Sequence, residues 1–404
     1  MEILKPKIRF PEFKENWERK YFKDLFTFKS TNSLSREKLN YDIGFVKNIH
    51  YGDIHTKFKT LFDIQKEYVP YINEDISLGN VSEENYLKLG DLIIADASED
   101  YNDIGKSIEI INLNNEKVLA GLHTFVARPN NFDIALGFNG YLMMIDKTKT
   151  QIKIIAQGTK VLSISTTRLS NILLNIPSKN EQTKITKFLK SVDEKINLLL
   201  EKKSLLEEYK TGIMQQIFNQ EIRFKDGNKN DFQEWEEFEL GEVLDYIQPT
   251  KYIVKSTDYN NSFETPVLTA GKTFILGYTD ETDNIFSNKL PVIIFDDFTT
   301  ANKFVDFPFK VKSSAMKILV KKNDDIDIKY IYEFMQTLNF SSGDEHKRYW
   351  ISEYSKCIIQ LPQLEEQIKI SNFLSAIDDK IDFVNTQIIE TQEYKKGLLQ
   401  QMFI

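Results

Sequence analysis

The chain has 404 residues, a formal net charge of −8 and a single cysteine. That length exceeds one ordinary domain, so two or more folded units are expected. "MEILKPKIRF" lacks a signal-type apolar core, no apolar run is long enough to span a bilayer, and lone Cys357 excludes an internal disulfide. A membrane protein and a secreted disulfide scaffold are therefore excluded, and a reducing cytoplasm is expected. The acidic balance argues against gripping nucleic acid by bulk charge, although a local basic face or basic partners can supply the field. Cys357 lies in the apolar "SKCIIQLP" and reads as a buried, inert thiol.

The first element is an entry motif, "RFPEFKENWERKYFKDLF", from Arg9 to Phe26. A variable block, 27–165, follows. "NIHYGDIHTKFK" packs His50, Tyr51, Asp53, His55, Lys57 and Lys59 between weak strand signals. "ADASEDYNDIGKS" adds Tyr101, "GLHTFVARP" adds His123, and Lys160 stands near the block's end. Polar side chains on loops are the tools that read base edges and phosphates, so these residues form a candidate DNA-binding set. Ordinary loop chemistry is the competing reading. His50, Asp53 and His55 could hold a metal, but no cysteine lies nearby and no helical His pair exists, so no metal site is expected.

From Pro177 the pattern becomes helical. Ile185, Leu189, Val192, Ile196 and Leu199 recur at coiled-coil spacing, and the stripe resumes at Leu206, Ile213 and Ile217. Ser178 and Glu181 have capping-box spacing. The predicted helix runs about 40 residues, or about 60 Å.

A second entry motif follows, "RFKDGNKNDFQEWEEFELGEVL", Arg223 to Leu244, which again carries Arg-Phe, a later Phe and Trp-Glu. The second block, about 245–350, shares no clear text with the first. Its candidates are Lys251, Lys272, Thr299, Thr300, Lys303, Lys310, Lys312, Lys347, Arg348 and Tyr349. Phe298, Phe304, Phe307 and Phe309 interleave with lysines, which suits nucleic acid. Alternating strand faces, with Phe buried and Lys outside, give the same pattern.

The last element repeats the first helix. Pro362 to Phe403 matches Pro177 to Phe218 at 17 of 42 positions without a gap. "EEYKTGIMQQIF" (207–218) thus returns as "QEYKKGLLQQMF" (392–403). The second stripe is Ile370, Leu374, Ile377, Ile381, Val384, Ile388, Leu398 and Met402. Lys203 and Thr391 interrupt the two seams; such defects either fix register or mark a frayed stretch. Gly212 and Gly397 mark either close approach of another backbone or a helix end, because mid-helix Gly costs about 1 kcal/mol against Ala. Ile185, Leu189, Val192, Ile196, Gly212, Ile370, Leu374, Ile377, Ile381 and Gly397 are the candidates for helix pairing or subunit docking.

The expected fold is α+β. Two globular mixed α/β domains, 1–177 and 221–362, are separated by two long antiparallel helices, 178–220 and 363–404. These helices form a coiled-coil pair with a pseudo-two-fold internal repeat. Duplex DNA has the same two-fold relation between strands, and a rod of about 60 Å exceeds the B-DNA pitch of about 34–36 Å. That geometry predicts a split recognition site.

Catalytic signals fail. "IGKS" (104–107) and "AGKT" (270–273) lack the earlier glycine of a phosphate loop, with Asp100 and Pro266 in its place. No Pro-Pro, GxGxxG, GxSxG or HExxH occurs. The Asp296-Asp297 pair follows an apolar strand but has no convincing Glu-x-Lys partner, so a single-chain endonuclease with its own metal-dependent site is the runner-up. A coiled-coil interaction protein without DNA is the third reading.

The two blocks, each followed by a "P…EQ.KI..FL…D.KI" helix ending in "YK.G..QQ.F", together with "RFPEF…WE", resemble the specificity subunit of type I restriction–modification systems. The resemblance covers essentially the whole chain. It implies two target-recognition domains, each reading half of an interrupted double-stranded DNA site, and helices that set the gap. It also implies partners: two methylation subunits on the scaffold, with restriction subunits joining through them. No cofactor is expected in this chain; S-adenosylmethionine, ATP and Mg2+ belong to the partner subunits. The resemblance assigns no base-contacting residues.

Overall fold

The computed structural model describes residues 5–130, 133–269, 273–338 and 349–404. It divides into two units, Met1–Leu199 with Gln387–Ile404, and Leu200–Thr386. Each long helix is therefore shared: its start belongs to the unit whose block precedes it, and its end belongs to the other.

In the first unit, Glu18–Tyr21 pairs antiparallel with Leu173–Ile176, just ahead of the central helix. The chain then enters a five-stranded sheet in the order Phe26–Lys29, Thr124–Pro129, Leu92–Ala95, Ser107–Asn112, Leu61–Asp63. Leu92, Ile93, Ile94 and Ala95 are all buried, as an inner strand covered on both faces requires. A four-stranded sheet, in the order Lys117–Ala120, Val46–Ile49, Tyr71–Ile72, Leu39–Asn40, carries the stretch around His50.

The second unit repeats this frame with different contents. Glu236–Glu239 pairs with Ile358–Leu361. A four-stranded sheet follows in the order Leu244–Ile247, Met316–Lys321, Val292–Asp296, Asn302–Val305. Thr265–Leu268 lies between Ile275–Thr279 and Lys310–Val311 in a separate three-stranded sheet.

The expected helices are present as Lys179–Phe218 and Leu364–Met402. In the first unit Ile185, Leu189 and Val192 share one core with Leu398, Leu399, Met402 and Phe403. In the second, Ile370, Leu374 and Ile377 share one with Met214 and Ile217. The pairing is antiparallel: in the second unit Lys203 Nζ donates to Asn385 Oδ1 at 2.9 Å, and Lys210 Nζ to Asp378 Oδ1 at 2.7 Å. In the first unit Lys395 Nζ lies 2.5 Å from Asp193 Oδ1. Asp193 and Asp378 hold the same repeat position, as do Lys210 and Lys395, so one reciprocal ion pair is written twice. Burial works against the Lys210 ammonium, but Asp378 and Glu333 outweigh it and raise its pKa.

The entry motifs strap onto the helix starts by matching contacts. Arg9 gives two hydrogen bonds of 2.7 Å to Glu181, and Arg223 reaches Glu366 at 3.2 and 2.9 Å. Phe10 meets Phe188 edge-on, as Phe224 meets Phe373. Gln182 and Gln367, each 1% exposed, donate to the carbonyls of Pro177 and Pro362. These bonds account for a large share of the repeated text.

Two alternatives that the sequence left open are narrowed by the helices. Lys203 and Thr391 lie inside continuous helix, and Lys203 bonds across the pair, so neither marks a frayed end. Gly212 and Gly397 are also internal, which removes the helix-end reading. A Cβ at Gly212 would meet nothing within 4 Å, and one at Gly397 only the Gln401 side chain at 4.0 Å. Among the described residues, no backbone demands glycine there. Cys357 is half-buried rather than buried, and burial beside Glu353 raises its thiol pKa.

Candidate nucleic-acid interface

The four-stranded sheet of the first unit ends at Ile49, and His50 caps the short helix Tyr51–Thr56 by accepting from Gly52 N at 3.2 Å. That bond needs an unprotonated Nδ1, and burial with neighbouring Arg36 holds the His50 pKa below its usual value. Asp53 is fully buried, taking Arg36 at 2.7 and 3.1 Å and Lys57 at 3.1 Å. Asp53 is therefore corrected from a base reader to an anchor; its carboxylate already holds two cations. Arg36 was missed because it is remote in the sequence.

Tyr51 sits among three imidazoles. Its ring centroid is 4.7 Å from His50, 6.1 Å from His55 and 5.2 Å from His123. His55 Nε2 bonds the Ala97 carbonyl at 3.0 Å. Lys57 is exposed beside Tyr41, whose ring stacks on exposed Tyr68 at 4.5 Å. Lys59 reaches Asn197 on the central helix at 3.0 Å. Tyr101 is exposed under Lys153, and Lys160 is exposed.

In the second unit Lys251 and Lys303 are exposed, and half-buried Lys312 lies 5.8 Å from the Tyr259 ring. Thr299 and Thr300 occupy a turn in which Asp296 Oδ1 accepts from Phe298 N at 2.8 Å and Thr299 N at 2.9 Å. Phe298 stands out from that turn, 50% exposed.

Two further candidates are corrected. Lys310 is 0% exposed, with Glu281 at 2.6 Å and the Asp283 carbonyl at 2.8 Å, so it cannot meet a phosphate in this fold. Tyr349 is 3% exposed and packs in the core, with its N–H on the Asp297 carbonyl at 3.2 Å. The alternating-face reading holds for buried Phe309, which stacks on Phe286 at 5.1 Å, but fails for its neighbour Lys310. Lys272, Lys347 and Arg348 lie outside the described residues.

Asp297 is occupied too: Lys317 Nζ lies at 3.0 Å and Trp350 N at 2.9 Å. Among the described residues no group of three or more His, Cys, Asp or Glu could hold a metal ion. Nor is any described helix long and apolar enough to cross a membrane.

Comparison with known proteins adds an independent line. A family model described as a type I restriction modification DNA specificity domain matches residues 14–208 and again 233–393. The chain is 49% identical over 164 residues to the EcoR124I/EcoR124II type I restriction enzyme specificity subunit of Escherichia coli, covering 39% of this chain and 40% of that one. It is 24% identical over 424 residues to the putative MjaX specificity subunit of Methanocaldococcus jannaschii, covering 97% and 94%. In fold it resembles a type I restriction–modification S subunit from M. genitalium, with TM-score 0.61, 14% identity and 99% coverage of both chains. A structure described for complex assembly and conformational transition of a type I system gives TM-score 0.55 at 15% identity, covering 95% of this chain and 96% of that one. Two matched segments that together span most of the sequence, on the two halves of a repeated frame, place this chain in the type I restriction–modification DNA specificity family.

Proposed function

We propose that each unit reads one half of an interrupted, asymmetric DNA site, and that the paired helices fix the gap between halves. The observation that carries this is the frame itself. The Arg–Glu strap and the reciprocal Asp–Lys pair occur once in each unit, around blocks that share no text. A scaffold kept twice and a surface varied twice is what independent readers of two half-sites require. Exposed Lys57, Lys160, Lys251 and Lys303 would meet phosphates, and polar groups beside Tyr51 would meet base edges.

The chain itself is read as non-catalytic. Its partners are two methylation subunits, with restriction subunits joining through them, and the target adenine is flipped into the methylation subunit's pocket. S-adenosylmethionine, ATP and Mg2+ belong to those subunits. Repeated residues on a helix face outside the seam support docking of one partner type twice, although Gln400 also donates to Asp146 at 3.1 Å and Glu208 accepts from Ser204 at 3.4 Å. Glu208, Tyr209, Gly212, Gln215 and Gln216 fall on one helix face, away from the seam residues Leu206, Ile213 and Ile217, and all recur at 393, 394, 397, 400 and 401. Tyr209 and Tyr394 are 52% and 55% exposed.

Footprinting of the chain bound with methylation subunits tests the reading. Two protected patches about one helical turn apart are expected. One continuous patch, or none, contradicts it.

A further inference from the structure

Asp96 and His123 lie 27 positions apart and meet only because Thr124–Pro129 pairs with Leu92–Ala95. His123 Nδ1 and Asp96 Oδ1 are 3.1 Å apart, and the Asp96 N–H donates to the His123 carbonyl at 3.1 Å. His123 has φ 56, in the left-handed region that favours glycine, and such outliers concentrate at functional sites. Its side chain is 48% exposed and that of Asp96 22%, with Tyr51 edge-on to the imidazole. Burial holds the Asp96 carboxyl above its usual pKa despite the histidine, as expected of a carboxylate short of donors.

The second unit carries an acid at the same place. Val292–Asp296 pairs with Met316–Lys321 as Leu92–Ala95 pairs with Thr124–Pro129, and the Asp297 N–H points at the Ala315 carbonyl as that of Asp96 points at His123. There the acid is closed off by Lys317 and the Trp350 N–H, and its side chain is 8% exposed. In the first unit the same position stays open to solvent, beside an imidazole.

We propose that Asp96 and His123 read the orientation of one base pair in the major groove, with Asp96 accepting from an exocyclic amino group. An ionised carboxylate only accepts, so it favours adenine N6 or cytosine N4 and is repelled by the keto oxygen of guanine or thymine. With Nδ1–H donating to Asp96, the imidazolium form of His123 keeps an Nε2–H to donate to the keto oxygen of the paired base. The couple thus discriminates amino–keto from keto–amino pairs at one position of the half-site read by the first unit. This rests on the DNA-reading role proposed above.

The test is the methylome of cells carrying the chain with its methylation and restriction subunits, for the native chain, Asp96→Asn and His123→Ala. Asparagine both donates and accepts, so D96N is expected to admit keto bases at one position, with the other half-site unchanged. An identical motif in D96N overturns the inference while leaving the DNA-reading role intact. Absence of any two-part motif in the native chain overturns both. If D96N abolishes methylation, the purified complex is titrated with duplexes carrying each base at each half-site position. A preference that falls about tenfold or more at one position supports the inference, and preferences unchanged at every position overturn it.

Discussion

Single residues show where chemistry in one dimension misleads. Lys310 sits among lysines and phenylalanines, a pattern that reads equally as a basic groove or a strand. The fold makes it an interior cation held by Glu281. Removing one partner of a buried pair leaves the other uncompensated, so Lys310→Met is expected to destabilise the chain by about 3 kcal/mol. The salt dependence of DNA binding should not change; a slope reduced by about 1 would restore Lys310 as a phosphate contact. Glu109 carries a pH dependence that no local text announces. It is 0% exposed and accepts from Gly137 N at 2.6 Å and Gly140 N at 2.7 Å, at the start of Phe138–Met144. Burial outweighs those bonds and pushes its carboxyl from 4.5 to about 7. A raised folded pKa means the folded state binds more protons, so stability is full below the unfolded value and is lost as pH rises through about 7. The change between about pH 4.5 and 7 is on the order of 3 kcal/mol. Urea unfolding at pH 5 and pH 8 should show that loss, and Glu109→Gln should flatten it. An equal slope in both proteins would remove Glu109 as its source.

At the scale of elements the helices were the most legible part. Their spacing gave both stripes, and the structure buries Ile185, Leu189, Ile370 and Leu374 as that spacing requires. The partners that explain the repeated polar residues were not legible. Glu181 and Asp193 answer to Arg9 and Lys395, which lie far away in sequence and come close only through tertiary packing. The strands of the blocks were less legible still, since short apolar runs fit several pairings, and Asp96 had no local signal at all. The helix pair also yields a ruler prediction. Lys395 opposite Asp193 sets a register that puts Leu199 near Ile389. Seven residues inserted after Leu199 and seven after Ile388 keep the seam in phase and add about 10 Å. The gap between methylated half-sites should widen by about three base pairs. A fixed gap would show that the helices do not measure it.

For the whole molecule, the repeat was visible from the text and the family follows from it, while the blocks that carry specificity were opaque. That division has a physical cause. The frame is held by a few strong, directional pairs that recur, whereas each block needs only a packed core under an exposed surface. On the proposed reading the methylation subunits share the grip on DNA, and a net charge of −8 is compatible with that arrangement. The central claim is that two independent readers sit on one repeated scaffold. The most direct measurement is the methylome of cells carrying this chain and its partners, before and after residues 27–165 are replaced by the equivalent block of a relative. The account predicts a two-part motif with a fixed gap, in which the replacement changes one half and leaves the other half and the gap untouched. A continuous motif, or a replacement that changes both halves together, would contradict it.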